Sequence, residues 1–182
     1  MSNIKNQMIS ELTKSFFETK DAEINKLIED IDTANRIFIY GLGREKIVLS
    51  SFAMRLMHLG YKVHVIGDVT TPAISKNDLL ITSSGTGYLS TVDALMKIAA
   101  SKNANIAFFT AFPNEPLPQQ ANTIIEIKAQ TMKQDDEIDS IQPMGSLFEQ
   151  TQLFILEYII IILINKHNLN EDDMVDNHTN LE

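Results

Sequence analysis

The feature that most constrains the fold is a repeated change of hydrophobic period. Short β-branched or aromatic runs at 37–40, 63–66, 79–82, 106–110 and 123–127 read as buried strands, since continuous apolar stretches of this length suit a sheet covered on both faces. Between most of them lie stretches of helical period, notably 46–59, closed by Gly60, and 90–100. Strands alternating with helices imply a parallel sheet with helices on both sides. The connection between the second and third runs is the exception, because Thr71-Pro72 leaves room for only a short helical turn.

Ahead of the first strand, Ile4, Met8, Leu12 and Phe16, then Ile24, Leu27, Ile28 and Ile31, recur every three or four residues. They predict a helix interrupted near 19–21, with Asp21 placed to cap the second piece. Residues 129–142 have no clear period and carry four acids, the pattern of a surface loop or lid. From Ser146 to Lys166 the sequence predicts one long helix, apolar throughout 158–164. Glu149, Gln150, Gln152 and Glu157 interrupt it too early for a membrane span of about 20 apolar residues. A helix apolar on nearly all sides is expected to be buried all round, and on so small a chain that coverage points to a partner subunit. The last twelve residues hold five acids and His178, a tail that is either disordered or packed on a neighbour. At 182 residues the chain fits one domain: a helical segment over 1–33, an α/β core over 34–166 and a tail over 167–182.

The net charge of −9 disfavours non-specific nucleic-acid binding, which depends on basic patches. The absence of cysteine removes disulfides, thiolate metal sites and cysteine nucleophiles. No targeting segment is visible in the acidic and polar N-terminal residues, and the expected compartment is the cytoplasm. An anionic substrate would need backbone dipoles or a few well-placed cations.

Two loops supply those dipoles. Gly41-Leu-Gly-Arg44 follows the first strand and opens a helix at the carboxyl end of the sheet, where open α/β folds bind ligands. A dinucleotide fingerprint would place a third glycine where Lys46 stands, although Asp68 could imitate its acid; a glycine turn required by geometry alone is the plainer alternative. Ser83-Ser84-Gly85-Thr86-Gly87 ends the third strand, and its hydroxyls and glycines suit a phosphate. A capped Ser/Gly turn explains the same residues. Two such loops on one sheet favour a ligand that bridges them, and a sugar phosphate supplies both anion and hydroxyls.

Ser146-Leu-Phe-Glu149 has the spacing of a capping box, which by itself accounts for both residues. The functional alternative makes Glu149 a general base. His58 shares a helix face with Arg55 and is read either as a structural histidine or as a catalytic one. His64 and His167 have no evident partner, and no histidine pair has metal-ligand spacing.

Phe52-Ala-Met-Arg-Leu-Met-His-Leu-Gly60, Thr70-Thr-Pro-Ala73, Asp78-Leu-Leu-Ile81, Ser140-Ile-Gln-Pro-Met-Gly-Ser-Leu-Phe-Glu-Gln150 and the ending His178-Thr-Asn-Leu-Glu182 together resemble the 6-phospho-3-hexuloisomerase branch of the sugar isomerase (SIS) domain family. The resemblance spans nearly the whole chain. It implies a flavodoxin-like three-layer α/β/α sandwich with a five-stranded parallel sheet, a homo-oligomer, expected to be a tetramer with active sites at subunit contacts, and interconversion of 3-hexulose 6-phosphate with fructose 6-phosphate in the ribulose monophosphate route of formaldehyde fixation. It implies no metal and no organic cofactor. Glu149 is then the expected base and His58 the group that polarises the carbonyl or shuttles protons. Gly43, Arg44, Ser83, Ser84, Gly85, Thr86 and Gly87 are expected to bind substrate and phosphate, with His178 a further candidate that completes a neighbouring site. Two residues depart from the family pattern. Glu45 replaces a small hydroxyl in the first loop, and Leu89 replaces a threonine in the second, a loss worth about 1.5–3 kcal/mol if that hydroxyl bonded a charged group. The departures keep open a divergent protein that acts on, or only senses, another sugar phosphate.

Overall fold

The computed structural model describes residues 2–133 and 139–181. Helices α1 (Ser2–Glu18) and α2 (Asp21–Thr33) precede an alternating core of β1 (Ile37–Tyr40), α3 (Gly43–His58), β2 (Val63–Val65), β3 (Leu79–Ser83), α4 (Ser90–Ser101), β4 (Asn105–Thr110), a 3-10 turn (Pro118–Gln120) and β5 (Thr123–Glu126). The long helix α5 (Ser146–His167) and the short α6 (Glu171–Asp176) complete the described chain. The strands form one all-parallel sheet in the order β2-β1-β3-β4-β5. The chain therefore reverses direction across the sheet between β1 and β3, the place where such folds open a crevice at their carboxyl edge.

Alternation along the strands sorts the core into two layers. Ile37, Ile39, Ile81, Ala107, Phe109 and Ile125 point to the side covered by α2, α3 and α5. Phe38, Leu80, Ile106 and Phe108 point to the other, which α4 covers through Val92, Met96 and Ala99. The first layer is much the larger, and α5 is its centre: Leu147, Phe148, Ile155, Leu156, Ile159, Ile160 and Leu163 are all buried, each worth about 1.5–3 kcal/mol when fully covered.

Three expectations change. Asp21 does not cap α2; the N-cap is Lys20, which pairs with Glu23 at 2.9 Å and Glu126 at 3.0 Å, while Asp21 sits in the first turn and complements the helix dipole from there. Within the single chain, helix α5 leaves Phe154, Tyr158 and Ile161 exposed along one side, the side on which the expected partner subunit would lie. It is 22 residues long and apolar enough to cross a membrane, but its other side is the core of the domain. The connection between β2 and β3 has no helix at all, consistent with Thr71-Pro72, and Arg36 holds it by donating to Ala73 O, Ser75 Oγ and the Asp78 carboxylate. Finally, 129–142 is not wholly superficial: Ala129, Thr131 and Gln142 are buried, whereas residues 134–138 of that predicted lid, like Glu182 of the tail, lie outside the described residues.

Candidate active site

Helices α3 and α5 both begin at the carboxyl edge of the sheet. Gly41 makes the turn into α3 because a Cβ there would stand 3.0 Å from Leu49 Cδ1 and 3.1 Å from the Lys46 amide nitrogen; the glycine answers to packing, as the plainer reading of that loop holds. Helix α3 then starts at Gly43, with Lys46 already inside it.

The capping box predicted at Ser146 does not form. Gly145, with φ +80°, takes the N-cap position, and its carbonyl accepts the Glu149 amide at 3.1 Å. Ser146 is the first helical residue, so its hydroxyl and the Glu149 carboxylate are released from the helix end. Both turn to Arg44, which donates from Nε to Glu149 Oε2 and from Nη2 to Ser146 Oγ at 3.3 Å. Glu149 Oε1 has no hydrogen-bond partner among the described residues. The Arg44–Glu149 pair thus ties the β1–α3 loop to the start of α5.

The β3 loop lies beside this pair. Ser84 Oγ and Thr86 Oγ1 are 3.3 Å apart, and the Gly87 amide is committed to Ser84 O at 2.9 Å. Gly87 has φ +82°, and a Cβ on it would come within 2.9 Å of Glu115 Cγ, so the turn admits only glycine. Leu89 is the N-cap residue of α4 and offers no side-chain acceptor to the helix amides. Two further donors of the loop are engaged: Ser83 Oγ donates to Glu45 Oε2, and the Gly85 amide donates to Glu45 Oε1 at 3.2 Å. Burial pushes the Glu45 carboxyl above its usual range; the Ser83 and Gly85 bonds pull it down without cancelling that push, and the nearby Glu149 charge adds to it.

Glu45, Gly85, Thr86, Thr131, Met132, Met144, Gly145, Phe148 and Glu149 line one cavity of about 40 Å³. Glu149 also lines a second, with Arg44, Ile47, Val48, Gln150 and Leu153, of about 210 Å³. Thr131, Met132 and Met144 escaped the sequence reading, because a segment without hydrophobic period gives no sign of the surface it folds against.

Gly43, Arg44, Glu149 and the 83–87 loop therefore share one end of the molecule, and His58 and His178 do not. His58 ends α3, and at 1.5 Å per residue the helix carries it about 22 Å from Gly43. It is buried beside α6 and the tail: His178 lies with its ring centroid 5.0 Å away, and Asn177 Nδ2 donates to His58 O at 3.0 Å. Arg55, His58, Ile164, Asn170, Glu171, Met174, Val175 and His178 enclose a cavity of about 420 Å³ there. The other histidines have partners that spacing did not reveal, His64 against the Phe38 ring and His167 on Asp32 at 2.8 Å. Among the described residues no group of three or more His, Asp or Glu is arranged to hold a metal ion.

Comparison with known proteins gives this geometry a family. The SIS domain family matches residues 30–153. The 3-hexulose-6-phosphate isomerase of Bacillus subtilis (strain 168) is 34% identical over 177 residues, 97% of this chain and 96% of the relative. That of Methylomonas aminofaciens is 34% identical over 182 residues, the full length of both. A crystal structure from Methanococcus jannaschii, for which a function of 3-hexulose-6-phosphate isomerase has been inferred, superposes with a TM-score of 0.83 at 32% identity, covering 98% of this chain and 97% of that one. The five-stranded parallel sheet, the two loops at its carboxyl edge and these full-length relatives together establish that the chain belongs to the SIS domain family, among its 3-hexulose-6-phosphate isomerases.

Proposed function

We propose that the chain isomerises 3-hexulose 6-phosphate to fructose 6-phosphate, as part of the ribulose monophosphate route of formaldehyde fixation. The observation that carries the reading is the placement of Glu149, with one oxygen held by Arg44 and the other unpartnered among the described residues, next to the hydroxyls of Ser84 and Thr86. Full-length kinship to isomerases of that substrate supports it.

The chemistry needs a base at carbon and an anchor for the phosphate. In the open-chain 3-keto sugar, Glu149 removes the proton from C2, the electron pair forms the C2–C3 double bond of an enediolate, and the C3 carbonyl pair moves onto its oxygen; the proton of the C2 hydroxyl passes to the C3 oxygen, and return of a proton to C3 leaves the ketone at C2. Arg44 orients the carboxylate and places a positive charge beside the developing enediolate oxygens, where a fixed cation acts more strongly in the transition state than in the ground state. Ser84, Thr86 and the 83–87 backbone anchor the phosphate. His58 lies too far from Glu149 to serve the same substrate within one chain, so its part, like that of His178, requires the far end of a neighbouring subunit to reach the site. A homo-oligomer, with a tetramer as the expected size, supplies such a neighbour.

The occupation of loop donors by Glu45 favours one rival, a family member that binds a sugar phosphate without turning it over. A coupled assay of the purified protein with 3-hexulose 6-phosphate, reading fructose 6-phosphate formation, decides between them. Turnover above about 1 s⁻¹ is expected, the low end for ordinary enzymes. Saturable binding without turnover would replace the enzyme by the sensor.

A further inference from the structure

Glu45 stands where the proposed function puts the substrate's anion. Its two oxygens take the Ser83 hydroxyl and the Gly85 amide, two of the donors that the 83–87 loop offers a phosphate. A hydroxyl or an amide has one proton to give, so neither group can serve Glu45 and a phosphate oxygen at the same time. A phosphate group cannot take these two donors while the carboxylate stays.

We propose that Glu45 is a tethered anion seated on the β3 loop, which an incoming phosphate must displace, so that this residue sets the affinity and selectivity of the site for phosphorylated ligands. The inference rests on the reading of the 83–87 loop as the phosphate anchor. Glu45 is in the first turn of α3, whose N-cap Leu42 has no side-chain acceptor; an acid there is favoured by the helix dipole, and it remains within that field after turning away from the loop. Displacement therefore exchanges one anion on the loop for another without stranding a charge.

The competitor is a carboxyl, so its strength depends on protonation. The groups facing it are the Ser83 hydroxyl and Gly85 amide on the loop, Glu149 on α5 with its partner Arg44, and, behind Gly87, Glu115 bonded by Lys133 at 2.7 Å. Burial and the charge of Glu149 make Glu45 easier to protonate than an exposed glutamate. The sign follows: as pH falls the seated carboxyl becomes neutral, holds the loop less firmly, repels an anion less, and the site binds anions more tightly.

Sulfate is the probe that isolates this effect, since it is tetrahedral and remains a dianion across the range, with inorganic phosphate as the second. Calorimetric titrations compare wild type, Glu45→Ser and Glu45→Gln. At about pH 8, Glu45→Ser is expected to bind sulfate about tenfold more tightly than wild type, the effect of removing one near charge and freeing two donors. Wild type is expected to gain about fivefold on moving to about pH 5.5, and Glu45→Ser less than about twofold, since only the former carries the titrating competitor. Glu45→Gln keeps the shape of the seat, its one oxygen still accepting the Gly85 amide and its NH2 donating to a turned Ser83 hydroxyl, so it decides the matter if the serine variant does not fold: it should bind more tightly than wild type and lose the pH dependence. Folded variants that bind sulfate no better than wild type, with the same pH dependence, would overturn the inference and leave the loop as an anion site. If no variant binds sulfate or phosphate at all, the loop is not an anion site, and the inference falls together with the phosphate reading.

Discussion

Glu149 and Arg44 illustrate how much a single backbone dihedral can change the use of a side chain. With Ser146 as N-cap, both Ser146 and Glu149 would be spent on helix amides; with left-handed Gly145 in that position, both are available to Arg44 and the cleft. The residue types were legible in the sequence, since the S-x-x-E spacing singles out both, but which residue caps depends on φ at Gly145 and on Pro143 ahead of it, and spacing carries no φ. Because the carboxylate is not part of a cap, Glu149→Gln should leave the melting temperature within a few degrees of wild type, the change expected for about 0.5 kcal/mol in a domain of this size, while turnover falls by about 10²- to 10⁴-fold. Thermal melts and steady-state kinetics on one preparation check this, and turnover within about threefold of wild type, far less than general-base loss costs, would remove Glu149 from the chemistry. Glu45 shows the opposite case: its presence in the first loop is plain from the sequence, but its hold on Ser83 and Gly85 is a long-range contact that no local pattern reports.

Among the elements, the strands and the helices between them were readable because period and turn residues agree along the chain, and the five runs fall on the five strands within a residue of their ends. Less readable were segments where the period is uniform or missing. Helix α5 is apolar on nearly every side, so its sequence does not say which side faces the core and which carries exposed Phe154 and Ile161. The connection from β2 to β3 has no period, and its order comes from ion pairing: Asp78, 1% exposed, accepts from Arg36 Nη2 at 2.7 Å and from the Ser75 amide at 2.7 Å. Burial pushes the Asp78 carboxyl up, and Arg36 with the Ser75 amide and hydroxyl outweigh it, so the group sits below the usual carboxylate range. A depressed native value stabilises the fold at any pH above the unfolded carboxylate value, near 4, and the contribution disappears as pH falls through the native value. Asp78→Asn should therefore cost about 1.5–3 kcal/mol at neutral pH and make unfolding less sensitive to acid below about pH 4. Urea melts across that range test it, and a variant as acid-sensitive as wild type would show that Asp78 contributes nothing to the slope.

For the whole molecule, apolar surface and site geometry point the same way. Phe154 and Tyr158 on α5 meet the edge of Phe16 on α1, and together with Phe17 and Ile161 they leave an apolar strip on the outside of the larger layer. A charge on that strip, Ile161→Lys, should convert a multimer into smaller species in sedimentation velocity at micromolar concentration, while a wild type that sediments as a monomer would show that the strip has no partner in solution. The separation of Glu149 from His58 was within reach of the sequence, since both the length of α3 and the place of His58 at its end are written there, but two residues grouped by chemistry are easily assumed to be neighbours. Helices α3 and α5 run in the same direction, so each chain carries its carboxylate at one pole and its paired imidazoles at the other. If the imidazoles take part in the reaction, joining unlike poles of two copies across a two-fold axis would create two complete centres at once, or none. Catalysis would then be a property of association: on dilution below the dissociation constant, specific activity would decline in proportion to protein concentration, although every chain remained folded.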